Sequence, residues 1–230
     1  MVKVLLTGGS GTLGTEILKI YDKQKYKFLS PSSTELDITS YINCQNWFLD
    51  NKPDLVIHSA AYTNVRDSEQ NYIKSIDTNI IGTCNMIRCC DELGIKLIYI
   101  STDYVFDGTK GNYSIEDAIN PLTKYAKSKA AGELAARMYP KSLVIRTSFF
   151  GYAFPYEKAF IDQWSSKDYV DIMAPKILKE CLSEKLGIIH VGSKRRSLYE
   201  IAVERKTEVV KASLKELKLN IPIDTSLEEY

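Results

Sequence analysis

The chain has 230 residues, 44% of them hydrophobic, and its 30 lysines and arginines stand against 29 acids for a formal net charge of +1. That length suits one sizeable core, or a core with a small appended lobe. Such a balance carries no electrostatic footprint for nucleic acid or an anionic membrane surface, and no acidic tail.

Val2–Leu6 reads as a buried strand, too short for a signal peptide or a membrane span. Thr7-Gly8-Gly9-Ser10-Gly11-Thr12-Leu13-Gly14 follows, and then a helical pattern through Ile17, Leu18 and Tyr21. Gly9, Gly11 and Gly14 spell GxGxxG, while Gly8, Gly11 and Gly14 spell the variant with two residues between glycines. A glycine turn between strand and helix lets backbone approach a pyrophosphate, and the helix N-terminus supplies donors and positive dipole. Dinucleotide binding is therefore expected here.

Tyr26–Leu29 reads as the second strand. An acid about twenty residues past the glycines usually meets a free ribose 2′-hydroxyl. Here the loop is Ser30-Pro31-Ser32-Ser33-Thr34, and the acids arrive only at Glu35 and Asp37. Small hydroxyl side chains tolerate a 2′-phosphate, although no arginine is placed to clamp one. The reading favours NADPH slightly, with NADH as the alternative.

Leu36–Ile38 reads as a short strand, Ser40–Asn51 as a helix ending before Pro53, and Asp54–His58 as a strand. Ser59-Ala60-Ala61-Tyr62-Thr63 then offers the small side chains that close approach of a flat cofactor needs. His58, inside an apolar strand, reads as structural. Ser68–Leu93 carries one long helical pattern closed by Gly94, within which Asn79 is either a polar residue on a solvent face, the reading the pattern favours, or a kink-forming amide near the active site. Lys96–Ile100 is the next strand, Pro121–Tyr139 a helix, Ser142–Thr147 a strand and Gly187–Val191 another. Ser197 and Glu200 form a capping box, and Lys206–Leu219 reads as a charged amphipathic surface helix. Alternating strands and helices imply α/β: a doubly wound parallel sheet of the Rossmann type.

The five cysteines, Cys44, Cys84, Cys89, Cys90 and Cys181, show no CxxC pairing, so neither a zinc site nor a disulfide framework is expected. Reduced thiols in a cytoplasmic protein are the simpler account.

The chemistry concentrates between Ser101 and Lys129. Thr102 places a hydroxyl where an apolar run gives way to a polar loop. Tyr125 and Lys129 are four apart in a helical segment, so phenol and ammonium share a face. A nearby cation lowers a phenol pKa, which would make Tyr125 a proton donor to a carbonyl oxygen. Tyr21 and Lys25 share the same spacing, so the pair gains its weight from Thr102 and the glycine turn.

Taken together, these motifs resemble the extended short-chain dehydrogenase/reductases, and more narrowly the dTDP-4-dehydrorhamnose reductase family. The resemblance rests on the glycine turn, Pro53–Thr63, Ser-Thr-Asp-Tyr-Val-Phe-Asp-Gly from Ser101, Tyr125–Glu133, Arg146-Thr147-Ser148 and Asp224–Leu227. It implies Thr102, Tyr125 and Lys129 as a catalytic trio reducing the 4-keto group of a nucleotide-linked 4-keto-6-deoxy sugar. It implies Gly8, Gly11, Thr12, Leu13 and Gly14 at the cofactor pyrophosphate, and Asp37 with Ile38 at the adenine. Ala60, Ala61 and Tyr62 would line the cofactor cleft, which Tyr125 and Lys129 would share. Thr102, Asp103 and Phe149 would touch the sugar. Phe149 stands where the family often has tryptophan, which keeps stacking and loses an N–H.

Residues 1–148 would then form the NAD(P)-binding domain. Residues 149–230 would form a reduced sugar-nucleotide lobe plus a strand and helix returning to the sheet. Phe149–Phe160 is shorter than the family's segment, which leaves the nucleobase open. The basic run Lys194-Arg195-Arg196 reads first as a solvated charge run, with one of the three meeting the substrate pyrophosphate as the alternative. The resemblance admits a homodimer and names no metal ligand, with Glu16 by analogy a candidate subunit or metal contact and the metal requirement left open. Its alternatives are a UDP-sugar reductase or epimerase and, from another class, a non-catalytic regulatory subunit of the same fold.

Overall fold

The computed structural model describes residues 1–216 and 221–228. Six strands form one parallel sheet: β1 (Val2–Thr7), β2 (Tyr26–Leu29), β3 (Leu55–His58), β4 (Lys96–Thr102), β5 (Ser142–Thr147) and β6 (Gly187–Val191). Their spatial order is β6-β5-β4-β3-β1-β2. The chain moves outward from β1 to β2 and then crosses back to β3. This reversal leaves a crevice beyond the carboxyl ends of β1 and β3, where sheets of this kind bind ligands.

Apolar runs explain the strands. Leu143, Val144 and Ile145 are wholly buried, as are Val4, Leu5 and Leu6, because helices cover both faces of the sheet. Helix α1 (Thr12–Ile20) buries Leu13 and Ile17 against the helix Val170–Cys181, whose Met173 and Ile177 share their core cluster. Helix α2 (Tyr41–Asn51) starts at Ser40, whose hydroxyl accepts the Asn43 N–H. It stops at Lys52, in a left-handed conformation just ahead of Pro53.

Three expected elements differ. Leu36–Ile38 is not a strand: the Leu36 N–H goes to the Ser32 carbonyl, the Asp37 N–H to the Asn43 side chain, and the Ile38 carbonyl accepts from Asn85. With these backbone groups satisfied locally and by side chains, no ladder forms.

The long helix is broken. Short turns at Val65–Ser68 and Tyr72–Ser75 lead into a π-helical segment, Ile76–Ile81, and then into α3 (Gly82–Leu93). Gly94 closes it with φ 67°, the left-handed cap that suits glycine.

Lys206–Leu219 is not the expected amphipathic helix where it is described, and its one helical piece is a 3-10 turn at Leu214–Glu216. Val210–Ala212 pairs in parallel with Lys158–Phe160, and Asp162 accepts from the Ser213 hydroxyl and the Leu214 N–H. Residues 217–219 of that expectation lie outside the described residues.

Helix α4 (Lys124–Met138) begins at Thr123, whose hydroxyl accepts the Ala126 N–H. After β5 the chain builds a small layer of two- and three-residue ribbons. Phe149–Phe150 pairs with Asp168–Tyr169, and Trp164–Ser165 with Arg196–Ser197. Helix α5 is Val170–Cys181, β6 follows, and α6 (Leu198–Val203) carries the Ser197–Glu200 capping box. Among the described residues no helix is long and apolar enough to cross a membrane.

Candidate active site

A cleft of about 700 Å³ occupies the crevice beyond β1 and β3. Gly8, Gly11, Thr12 and Leu13 line one end. Gly8 has φ +73°, and a Cβ there would lie 2.7 Å from the Ala60 nitrogen, so only glycine fits. Gly11 precedes α1 and offers no side-chain cap, which leaves the first N–H groups of that helix for an anion. This cradle fits a dinucleotide pyrophosphate. Gly14 does not line the cleft: its missing side chain lets α1 pack on the turn, since a Cβ would meet the Gly8 carbonyl at 2.4 Å.

Asp37 and Ile38 line the same cleft with Pro31 and Ser33. Ala60 and Ala61 line it as well, whereas Tyr62 does not. The Tyr62 backbone instead is clamped by Asn79. Its N–H donates to Asn79 Oδ1 at 2.7 Å, and its carbonyl accepts from Nδ2 at 3.0 Å. Asn79 Nδ2 also donates to the Ser128 hydroxyl at 2.8 Å, one residue from Lys129. Asn79 is buried, not on a solvent face; the π-helical turn carries it inward. A polar amide inside an apolar helical run was the one signal of this in the sequence.

Thr102, Tyr125 and Lys129 converge on the cleft from the end of β4 and the first turns of α4. The Thr102 hydroxyl donates to Asp103 Oδ1 at 3.2 Å and accepts the Tyr104 N–H at 3.2 Å. Lys129 Nζ donates to the Ile100 carbonyl at 2.7 Å and lies 4.2 Å over the Tyr99 ring. Burial drives Lys129 down from 10.5 to about 7, while Glu133, one turn on, pulls it back up. The expected lowering of Tyr125 is absent. Burial raises its phenol well above the ordinary 10.0, and the adjoining Thr102 hydroxyl acts the other way. Desolvation wins because the lysine charge itself is suppressed by the same burial.

Asp103 does not line the cleft. It is buried, and its Oδ2 accepts from the Thr225 hydroxyl at 2.7 Å and the Ser165 hydroxyl at 3.1 Å. Phe149 lines the cleft beside Phe150, Tyr104, Tyr156 and Lys167, four residues that sequence reasoning missed. None of residues 221–228 enters it.

Beneath the trio lies a buried ion pair. Arg146 donates to Glu133 through Nε and Nη2, the latter at 2.7 Å, and the Ser101 hydroxyl donates to Glu133 Oε2 at 2.7 Å. His58 bridges the Thr7 and Thr83 hydroxyls at 2.8 and 3.1 Å, and burial lowers it to about 3. It is a neutral strut between β1, β3 and α3.

The basic run is committed elsewhere. Arg195 pairs with Asp224 at 2.7 Å and stacks 4.0 Å over Trp164. Arg196 pairs with Asp168 at 2.6 Å and with Glu204, and none of Lys194, Arg195 and Arg196 lines the cleft.

Sheet order and crevice together define an α/β protein of the Rossmann class. The profile of the family described as "RmlD substrate binding domain" matches residues 2–203, and the chain belongs to that family. It is 35% identical over 182 residues to a dTDP-4-dehydrorhamnose reductase of Aggregatibacter actinomycetemcomitans, covering 77% of this chain and 62% of that one. It is 36% identical over 152 residues to the spore coat polysaccharide biosynthesis protein SpsK of Bacillus subtilis, covering 65% and 53%. The chain thus spans little more than half the length of these relatives. A crystal structure of dTDP-4-dehydrorhamnose reductase from Bacillus anthracis in complex with NADP superposes with a TM-score of 0.91 at 27% identity, over all of this chain and 92% of that one.

Proposed function

We propose that the protein is an NAD(P)H-dependent oxidoreductase. Its reaction is reduction of the 4-keto group of a nucleotide-linked 4-keto-6-deoxy sugar of the dTDP-4-dehydrorhamnose type. The observation that carries this reading is the convergence of Thr102, Tyr125 and Lys129 on a cleft whose other end is a glycine cradle. A dinucleotide held in that cradle by its pyrophosphate would supply a hydride from its reduced nicotinamide. NADPH is the favoured form: Ser33 and Pro31 stand near the cradle, Asp37 alone is acidic in the lining, and the related Bacillus anthracis reductase was crystallised with NADP.

The chain's own part is to place and protonate the ketone. Tyr125 donates its phenolic proton to the C4 oxygen. A phenol whose pKa is raised is protonated at neutral pH and ready to donate, and it gains acidity as charge develops on the oxygen beside it. Lys129 moves toward its charged form when an anion or a ribose hydroxyl enters its burial site, and then stabilises the phenolate left behind. Thr102 has a single hydroxyl proton, given to Asp103 in this structure; turned from Asp103 to the C4 oxygen it would share the developing charge. Its orientation is set by Asp103, which makes Asp103 a positioning residue and no longer a direct sugar contact. Phe149 gives the sugar an aromatic face.

The division at residue 148 belongs to this proposal. Residues 1–148 handle the dinucleotide, and 149–230 handle the sugar nucleotide and return β6 and α5 to the first unit.

The test is oxidation of NADPH, followed by loss of nicotinamide absorbance, with enzymatically prepared dTDP- and UDP-4-keto-6-deoxy sugars. Turnover is expected with at least one, and NMR of the product identifies the sugar. Tight NADPH binding with no oxidation in either case would sink the reading and favour a non-catalytic subunit.

A further inference from the structure

Three charged side chains line the cleft: Asp37, Lys129 and Lys167. Asp37 stands with Pro31, Ser33 and Leu36 at the far end from Tyr125, and its carboxylate accepts from the Thr39 hydroxyl at 2.7 Å. Lys129 is buried on the Ile100 carbonyl. Lys167 differs from both. Its ammonium is half-buried, 4.9 Å over the Phe150 ring and 5.5 Å over the Tyr104 ring. Among the described residues no carboxylate pairs with it.

Two aromatic faces hold a cation in place without neutralising it. The backbone around it is also fixed. The Lys167 N–H donates to the Ser165 hydroxyl at 3.2 Å, and the next residue, Asp168, pairs with Phe149 across the ribbon. Tyr104 relays the position to the reacting end, since its ring centroid is 6.5 Å from that of Tyr125. The result is a preorganised positive charge on the wall contributed by residues after 148, close to the proton donor. The dinucleotide has its own anion site in the glycine cradle, so a second one calls for a second anion.

We propose that Lys167 binds the diphosphate of the sugar-nucleotide substrate, the role the sequence had offered to Arg195 and Arg196. This rests on the function proposed above. A free or singly linked sugar would present nothing for this ammonium, whereas a nucleoside diphosphate presents two negative phosphoryl groups on the sugar's anomeric side.

The probes are dTDP and UDP, titrated by calorimetry into the whole protein saturated with NADP⁺. Lys167→Met keeps a chain of similar length between the two rings and removes the charge; Lys167→Arg keeps the charge. Wild type should bind at least one diphosphate, the methionine variant about tenfold or more weakly and the arginine variant within a few-fold, as expected for a charge-assisted contact. NADPH affinity should be the same in all three. Unchanged diphosphate affinity in Lys167→Met would overturn the assignment and leave the reductase reading standing. Wild type that binds NADPH but neither diphosphate would overturn the sugar-nucleotide reading itself, and this assignment with it. Should the methionine variant also lose NADPH affinity, the contrast of Lys167→Gln with Lys167→Arg decides by the same criterion.

Discussion

The two ends of the cleft are made of different material. At the cradle end the functional groups are backbone: a glycine turn, the free N–H groups of α1 and the small residues after β3. The opposite wall is made of side chains: Phe149 and Phe150 on a two-residue ribbon, and Tyr156 and Lys167 in the segments between short ribbons. The cradle is held by the continuous core of the six-stranded sheet, whereas the wall rests on a small apolar cluster of its own (Phe154, Ala159, Tyr169 and Ile201, with Phe150 against it) and on polar contacts such as Arg196 to Asp168 and Thr225 to Asp103. A backbone site is set once the topology is set. A side-chain site needs each supporting contact in turn, so it is where related chains can change substrate while keeping the coenzyme.

The largest effect should come from the polar core beneath the trio. Glu133→Ala leaves Arg146 buried without its carboxylate, with only the His190 ring, 3.4 Å from Nη1, and the Phe106 ring, 4.9 Å from the guanidinium carbon, beside it. Breaking a buried pair this way costs about 3–5 kcal/mol. Urea denaturation measures it, and a loss below about 1 kcal/mol would mean that the pair is as dispensable as an exposed one.

Next comes the chemistry shared by both ends. Tyr125→Phe removes the proposed proton donor and leaves both walls in place. Turnover should fall roughly a hundredfold or more, the order that positioned general acids contribute, with NADPH affinity retained. Equal turnover in the variant would remove the phenol from the mechanism.

A smaller effect tests whether the side-chain wall reaches into the trio. Thr225→Ala takes one of two hydroxyl donors from Asp103 Oδ2, and Asp103 is what holds Thr102. The loss should be about 1.5 kcal/mol of stability, the low end for a hydrogen bond to a charged group, because Ser165 still donates. Turnover should drop more than the KM for the sugar rises, and Thr225→Ser should restore it. A KM effect alone would place Thr225 at the substrate, not behind Thr102.

This contrast also explains what the sequence disclosed. Leu143-Val144-Ile145 and the glycine turn declare strand and cradle locally, because a strand covered on both faces must be apolar throughout. Thr225 reaches Asp103 across 122 positions, and nothing near either residue announces the pairing. Asn79 was visible only as an oddity in a helical run, since its partners Tyr62 and Ser128 meet it through the fold. Residues 206–212 carry a helix-like alternation of charge, yet pairing with Lys158–Phe160 decides their conformation, as tertiary context commonly does. Lys167 lies in a stretch with no motif, and its place in the cleft follows from the ribbon between Phe149–Phe150 and Asp168–Tyr169.

The last expected effect is a slope with pH, read chiefly at Lys129. Its pKa falls from 10.5 in the unfolded chain to about 7 in the fold, so between these values the unfolded chain binds more protons. Stability must then rise with pH across that window and be lowest, for this group, below about 7. Lys96, also lowered by burial, adds in the same direction. Above 9.0 the buried thiols oppose it: burial raises Cys44 to about 12 and Cys89 to about 11, so the folded protein holds those protons longer and loses stability as pH climbs. The interval from about 7 to 9 is therefore where Lys129 shows. There the slope should approach roughly 1 kcal/mol per pH unit, near the limit for one proton. In Lys129→Met it should flatten to the share left by Lys96. Parallel slopes for wild type and variant would mean that the ammonium is charged in the fold, and the trio would then carry a fixed cation beside Tyr125.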